Sequence, residues 1–569
     1  MYQKLYQKWL KEVKDYELIN ELNEIKNDNN QIKDRFYKSL EFGTAGLRGI
    51  IGAGTNRMNI YTVAQATQGL AEYVKSINKN GKVAIAYDCR INSDVFAKKA
   101  ASVLAANGIH VFIYKELMPT PTLSFAVRYL KCDAGIVITA SHNPSKYNGY
   151  KAYGSDGCQL GLKESDYVTK IINSVDIFND VKTIDFNEAL SNNLIEFISD
   201  DIINEYINCV KKQSCIDNSY NLDNLKVIYT PLHGTGNKPV RTILEKIGIK
   251  NLKIVKEQEQ PNGLFPTVRF PNPEFKEAFD IAIKYTENFR ADIIVATDPD
   301  SDRVGIAVLH ENDYILLNGN EIGVLLLEYL LKRKTELGIL PKNPVAIKTI
   351  VSTELCKPIC QKYNCNLIDV LTGFKFIGEQ IYLLEKENED YRFIFGFEES
   401  YGYLSGSYVR DKDAVIGAML LCEMASYYKS KSKDLITVLE DIYQEYGYYY
   451  NMQHSITCEG IDGMSNIAKA MIRLRNNPLS KIGNFNIVKF NDYENSNSYD
   501  LIENTVNIIN LPKSNVLSYT LNNKTTITVR PSGTEPKIKV YISAVGNSSE
   551  EAIKIAQELK SEFLELLNL

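Results

Sequence analysis

Three times along this chain a short apolar run of strand-forming residues stops at a polar loop. Ile136-Val-Ile138 runs into Thr139-Ala-Ser-His-Asn-Pro144. Ile293-Ile-Val-Ala-Thr297 runs into Asp298-Pro-Asp-Ser-Asp-Arg303, and Phe393-Ile-Phe395 into Gly396-Phe-Glu-Glu-Ser-Tyr401. Further strands are expected at Val83–Tyr87, Val111–Tyr114, Lys226–Thr230 and Val345–Thr349, with a helix over about 94–107. Alternating strands and helices predict helices packed on largely parallel sheets. Each polar loop then falls at the carboxyl end of a strand, where such sheets place their chemistry. Past residue 447 the pattern changes: Gly447-Tyr-Tyr-Tyr-Asn451 and the Asn-rich stretch 476–498 interrupt the apolar periodicity. A strand at Thr525–Val529, a loop at Arg530-Pro-Ser-Gly-Thr-Glu-Pro536, a strand at Ile538–Ile542 and a helix from about 549 follow. The expected architecture is α/β: three similar mixed-sheet domains and then an α+β C-terminal domain, around a central cleft. The boundaries expected are 1–205, 206–320, 321–447 and 448–569.

Composition narrows the function classes. At 569 residues the chain is too long for one core. A net charge of −5 with both signs interspersed, and no long basic block, argues against a nucleic-acid or anionic-membrane surface. No apolar run approaches the ~20 residues of a membrane span. The N-terminal Met1-Tyr-Gln-Lys-Leu-Tyr-Gln-Lys-Trp-Leu10 reads as an amphipathic helix and not as a signal segment. Ten cysteines without a repeated framework read as reduced thiols of a cytoplasmic protein. Cys356, Cys360 and Cys365 cluster, but three thiols with no nearby histidine make a poor zinc set.

The loops carry the chemistry. Pro144 cannot extend a central strand, so Ser141 should be lifted out on a turn at the strand end. A lone serine there would be an ordinary turn residue. Asp298, Asp300 and Asp302 alternate, and in an extended segment alternate side chains point the same way. Three converging carboxylates call for a hard divalent cation; the bland reading is a solvated acidic turn. An EF-hand is excluded, because Arg303 and Leu309 stand where it needs glycine and glutamate. Arg530, Ser532, Gly533 and Thr534 offer a guanidinium, hydroxyls and a glycine backbone, a set suited to phosphate. Arg48, within Glu41-Phe-Gly-Thr-Ala-Gly-Leu-Arg-Gly49, could bind phosphate or be a surface arginine in a flexible loop. Arg410 and Lys412, like Thr372 and Lys375, sit on predicted loops and could bind substrate or simply be solvated.

Together these stretches resemble the α-D-phosphohexomutase superfamily of phosphoglucomutases, phosphomannomutases and their relatives, over about residues 41–545. Thr139–Pro144 looks like its phosphoserine loop, Asp298–Arg303 its magnesium loop, Glu398-Glu-Ser400 its sugar-binding loop and Arg530–Pro536 its phosphate-binding loop. The glycine loop at 41–49, with Thr55-Asn-Arg-Met-Asn59, is similar to the phosphoglucomutase-2/phosphopentomutase branch. Where some members have Gly-His after the sugar-loop serine, this chain has Tyr401-Gly-Tyr403.

The resemblance implies four domains and a phosphosugar mutase. Its most probable activity in this reading is interconversion of glucose 1-phosphate and glucose 6-phosphate; pentose or mannose phosphates are the alternatives. It implies a resting enzyme phosphorylated on Ser141, with one Mg²⁺ held by that phosphoryl group and by Asp298, Asp300 and Asp302. A sugar 1,6-bisphosphate would be intermediate and activator. Lys151 falls where the family has a general acid/base, which needs a lowered pKa, and His142 is a second candidate. Arg48, Arg303, Thr372, Lys375, Glu398, Ser400, Arg410, Lys412, Arg530, Ser532, Gly533 and Thr534 would contact the substrate. The expected partners are small sugar phosphates, with no nucleic acid or membrane, and the chain would be a monomer or dimer. Two rivals are weaker: a non-catalytic sugar-phosphate-binding protein would not need Ser141 and the acidic trio, and a Mg²⁺-dependent phosphatase would usually use an aspartate as phosphoryl carrier.

Overall fold

The structure is a computed structural model that describes residues 2–43, 46–217, 220–458, 463–477, 479–532 and 537–569. It divides into two compact bodies. The first comprises Met1–Gly319, Ile377–Phe395 and Ser400–Asp434; the second comprises Asn320–Phe376, Gly396–Glu399 and Leu435–Leu569.

In the first body, strands β1 (Leu47–Ile50), β2 (Lys82–Tyr87), β3 (His110–Ile113), β4 (Ala134–Ile138), β5 (Tyr147–Gly154) and β6 (Ile195–Phe197) form one sheet in the order β1-β5-β4-β2-β3-β6. β3, β2 and β4 run parallel, whereas β5 returns antiparallel beside β4 and pairs antiparallel with β1. All five residues of β4 are buried, as expected of a strand covered on both faces. Gly135 lets a helix sit close: a Cβ there would lie 2.6 Å from the Val127 side chain. The helix at Ile60–Ile77 starts at Asn59, whose side chain accepts from the Tyr61 and Thr62 amides in a reciprocal cap with Thr62.

Strands β7 (Lys226–Thr230), β8 (Asn251–Ile254), β9 (Ile293–Thr297), β10 (Val304–His310) and β11 (Asp313–Leu316) form a second sheet in the order β11-β10-β9-β7-β8. β9 runs parallel to β7, and β10 returns antiparallel to β9. The first two sheets therefore share a device that the alternation of strands and helices did not reveal. The polar loop is a hairpin turn, and its return strand carries more of the site. The sheets are mixed, as the expected architecture has them, because β1, β5, β10 and β11 pair antiparallel beside parallel strands.

The first forty residues fold as helices Tyr2–Glu12, Tyr16–Glu24 and Asn29–Phe36 around Tyr6, Trp9, Leu22 and Phe36. Glu21 from these helices accepts the Ala53 amide and pairs with Arg35, bracing the segment just past β1.

In the second body, Val345–Thr349 and Asn366–Val370 pair in parallel. The C-terminal part is an antiparallel sheet with helices Gly463–Asn476 and Ser549–Leu567, around a core that includes Leu474, Tyr519, Val540 and Phe563. It is α+β, as the sequence predicts. Among the described residues no helix is long and apolar enough to cross a membrane.

Candidate active site

Ser141 occupies the turn between β4 and β5 and is almost fully buried. Its backbone has φ of +50°, a left-handed conformation uncommon for a residue with a Cβ. The turn is held from beneath. The Ser141 amide donates to Thr139 Oγ1 at 2.8 Å, and that hydroxyl donates to Asp88 Oδ2 at 2.6 Å. Arg90 spends its guanidinium on the loop's own carbonyls: Ser141 at 2.6 Å, Tyr147 at 2.9 Å, Pro144 at 3.0 Å, and Asn143. Asp88 lies 3.5 Å from Arg90 and neutralises it where both side chains are fully buried. Sequence reasoning passed over Asp88 and Arg90 as a strand ending. The available signal was adjacency, since β2 is the parallel neighbour of β4 and their carboxyl ends lie together.

The Ser141 hydroxyl donates to Asp298 Oδ2 at 2.8 Å and lies 3.2 Å from His142 Nδ1. Ser141 and the acidic trio are therefore in direct contact. Asp298, Asp300 and Asp302 are all buried, and each offers an oxygen within 4.8 Å of the others. They do not converge by extended-strand alternation as expected. The segment is a tight turn with Ser301 at φ +50°, because Asp298 Oδ1 accepts the amides of Asp302 at 3.1 Å and Arg303 at 3.0 Å. Thr120 fixes Asp300 through its amide to the Asp300 carbonyl at 2.9 Å and its hydroxyl to Oδ2 at 3.0 Å. Thr235 similarly holds the Pro299 carbonyl, at 2.8 Å from its amide.

Buried Asp300 Oδ1 and Asp302 Oδ1 have no hydrogen-bond partner. These two carboxylate oxygens without hydrogen bonds, Asp302 Oδ1 lying 3.9 Å from Arg303 Nε, are hard donors in a buried cluster and fit a divalent cation of the magnesium class. Burial, then the neighbouring carboxylates Asp300 and Asp302, push the Asp298 pKa well up. Burial opposes the Asp300 anion, but Lys151, the hydrogen bonds from Asp298 and Lys151, and Lys412 together outweigh it and hold this carboxyl below its ordinary range.

Lys151 lies on return strand β5, with Nζ 2.9 Å from Asp300 and 3.2 Å from Asp302. Burial works against its charge, yet the two carboxylates outweigh burial and its pKa is raised. The lowered pKa expected of a general base is therefore not the state with both carboxylates turned to the lysine. His142 is the opposite case. Burial, then the guanidiniums of Arg303 and Arg48, hold it well below its ordinary value, as a neutral imidazole. Arg48, on β1, donates to Asn143 Oδ1 at 3.0 Å. Arg303 donates to Glu274 at 2.8 Å. Lys412 reaches Asp302 Oδ2 at 3.0 Å. Arg410 goes elsewhere: fully buried, it pairs with Glu385 at 2.6 Å and bonds to the carbonyls of Ser407 and Val409. Ser400 is half-buried, and next to it Tyr401 bonds to the Leu317 carbonyl at 3.2 Å.

In the second body, Glu398 is buried and its neighbour Glu399 accepts the Thr349 hydroxyl at 3.2 Å. Thr372 has an enclosed hydroxyl without a hydrogen-bond partner, and Lys375 lies 5.1 Å over the Phe376 ring. Arg530 and Ser532 line a cavity of about 340 Å³ with Ser514, Asn515 and Met464. The Arg530 side chain also hydrogen-bonds to Tyr541. Gly533 and Thr534 lie outside the described residues.

Known proteins carry the same organisation. The chain matches phosphoglucomutase/phosphomannomutase alpha/beta/alpha domain I over residues 39–177, domain II over 204–311, domain III over 318–446 and the C-terminal domain over 490–561. It is 37% identical to a phosphoglucomutase of Staphylococcus saprophyticus, covering 98% of this chain and 99% of that protein. It is 40% identical to a phosphoglucomutase of Staphylococcus aureus, covering 90% of each. Parafusin, a Paramecium phosphoglucomutase whose crystal structure is an open form, has the same fold, with a TM-score of 0.66 at 15% identity over 93% of this chain and 96% of that one. The chain belongs to the phosphoglucomutase/phosphomannomutase family, within the α-D-phosphohexomutase superfamily of phosphoryl-transferring isomerases.

Proposed function

We propose that this enzyme interconverts glucose 1-phosphate and glucose 6-phosphate, using Ser141 as phosphoryl carrier and a glucose 1,6-bisphosphate intermediate. The observation that carries the reading is the 2.8 Å contact between the Ser141 hydroxyl and Asp298, within a trio that keeps two carboxylate oxygens without hydrogen bonds. The staphylococcal phosphoglucomutases, similar over nine-tenths or more of the chain, support glucose as the sugar.

In the forward step the O–P bond of phosphoserine breaks and an O–P bond to a sugar hydroxyl forms. The proton given up by that hydroxyl ends on the Ser141 oxygen. His142, neutral and 3.2 Å from Ser141 Oγ, is placed to take that proton and pass it to the Ser141 oxygen. Lys151 sets its ammonium facing the trio, next to the transferring group, where it can offset phosphoryl charge; it could take the hydroxyl proton only after giving up its own. Mg²⁺ held by Asp298, Asp300 and Asp302 would offset the charge of the transferring phosphoryl group. Arg48, bonded to Asn143 of the serine loop, presents its guanidinium at the edge of the site. Glu398, Ser400, Thr372 and Lys375 would select the sugar by hydrogen bonding, and Arg530 with Ser532 would hold the phosphate that is not being transferred. All ten cysteines are free thiols, in keeping with a reducing cytoplasm.

The test is an assay of glucose, mannose and ribose 1-phosphates with Mg²⁺ and the matching bisphosphate. Glucose 1-phosphate should turn over fastest, and mass spectrometry should find phosphate on Ser141. Ser141→Ala should lose at least roughly a thousandfold in turnover, because no other group can carry the phosphoryl. Near-unchanged turnover in that variant would sink the phosphoserine reading, and a preference for ribose 1-phosphate would replace glucose with pentose.

A further inference from the structure

The cavity of about 340 Å³ beside Arg530 has a second wall with a construction of its own. Strand Leu517–Leu521 pairs antiparallel with strand Phe485–Asp492 on one edge and with strand Thr526–Pro531 on the other. Leu517 faces Asp492 in the first pairing and Val529 in the second. The chain just before Leu517 therefore runs between the strand end at Asp492 and the strand end at Arg530. Asn515 is on that stretch, and it lines the cavity with Ser514, Arg530 and Ser532.

Asn515 is oriented from outside the cavity. Its Oδ1 accepts Arg475 Nη2 at 2.8 Å. Arg475, in the last turn of helix Gly463–Asn476, is mostly buried and is held in turn. Its Nε donates to both oxygens of Asp492 at 3.1 Å, and its Nη2 reaches Glu494 at 2.7 Å. Asp492 is buried and also accepts the Glu494 amide at 3.1 Å and the Asn495 side-chain amide at 2.6 Å. A guanidinium only donates, so the atom of Asn515 turned to it must be the oxygen. Nδ2, with two N–H donors, is what Asn515 keeps for the cavity.

We propose that Asn515 is a further substrate-binding residue, whose amide nitrogen donates to the sugar-bound phosphate that Arg530 holds, and that Arg475, fixed by Asp492, is the positioning residue that turns this nitrogen inward. This rests on the reading of Arg530 as a phosphate ligand. A guanidinium, an amide donor and hydroxyls share one small cavity, and none of the described residues lining it is acidic. Such a wall suits an anion with several acceptor oxygens. The reversed amide would set its own oxygen against the phosphate, so Arg475 decides whether the contact attracts or repels.

The experiment measures the KM for the sugar 1-phosphate turned over fastest, beside kcat and the melting temperature. Asn515→Ala should raise KM roughly tenfold, the low end for a hydrogen bond to a charged group. Asn515→Asp is decisive. It keeps the shape and the oxygen that Arg475 needs but replaces the donor with an anionic oxygen. It should raise KM more than Asn515→Ala does, with the melting temperature nearly unchanged, since a part-exposed ion pair with Arg475 is worth little. A merely structural role, accepting from Arg475, would be fully served by aspartate, so an unchanged KM in Asn515→Asp overturns the proposal. Inorganic phosphate as a competitor separates the sources of the anion: if its inhibition constant rises in Asn515→Asp and KM does not, the site takes a free anion and the proposal falls. Arg530→Ala separates the two readings. If it raises KM and Asn515→Asp does not, only this proposal fails; if neither does, the cavity holds no substrate phosphate and the Arg530 reading fails with it.

Discussion

The two turns that meet at Ser141 and Asp298 are built alike and clamped oppositely. Each follows a fully buried strand, each returns through an antiparallel partner, and each has a serine at φ +50°. The serine turn folds around a cation, with the Arg90 guanidinium gathering four carbonyls. The acidic turn folds around an anion, with Asp298 gathering the amides of Asp302 and Arg303. Arg90 is fixed by Asp88, lies 5.0 Å over the Phe265 ring and spends its hydrogen bonds on its loop. Asp298 holds its loop with Oδ1 and turns Oδ2 to the Ser141 hydroxyl, so one residue serves its own turn and the neighbouring one. A clamp of like kind should therefore fail in different ways on the two sides.

The largest effect is expected at Arg90. Arg90→Met strands buried Asp88 and frees four carbonyls, and should cost about 3–5 kcal/mol in denaturant unfolding. Arg90→Lys should recover little, because one ammonium cannot reach the span of a planar fork. Full stability in either variant would break the comparison on the serine side.

Asp300→Asn should behave conversely. It removes the nearer of the two carboxylates paired with buried Lys151, but Asp302 still faces that ammonium, so the loss in metal binding should exceed the loss in stability. The concentration of Mg²⁺ needed for half activity should rise by at least about 10- to 100-fold, since a direct ligand counts for no less than an outer partner. An unchanged metal titration would remove Asp300 from the cation site.

Arg530 sharpens the contrast from the second body. Arg90 points its guanidinium into its own loop, whereas Arg530 lines an open cavity of about 340 Å³. Arg530→Ala should leave unfolding nearly unchanged and raise the KM for the sugar monophosphate about 10- to 150-fold, the value of a charge-assisted bond of about 1.5–3 kcal/mol. Bisphosphate should also escape during turnover, and the variant should depend more steeply on added bisphosphate. A fall in melting temperature with unchanged KM would mark Arg530 as a strand cap and not a phosphate ligand.

Much of the site was legible in sequence because its parts are local. Ser141 follows its strand by three residues, and the three aspartates lie within five positions, so spacing alone marks a candidate serine and a candidate cation set. The way the aspartates converge was misread, since a turn with a left-handed serine leaves no mark that distinguishes it from an extended segment. The lysine pKa was out of reach for a related reason. Lys151 is read as a base by position, but its proton affinity is set by carboxylates 149 and 151 residues away.

Sequence by itself determined the elements and their chemistry: apolar runs that must be covered on both faces, serine and proline that end a strand, acidic alternation that demands a counter-charge. These are properties of neighbouring residues and survive without a partner. Tertiary structure decided which groups meet. It set Arg90 under the Ser141 loop, turned Asp298 to the serine hydroxyl, and sent Lys412 rather than Arg410 to the trio. The physical reason is that a guanidinium, an ammonium or a carboxylate has no preferred partner in the chain. Burial forces each to find the nearest opposite charge in space, and that distance exists only once the sheets are formed.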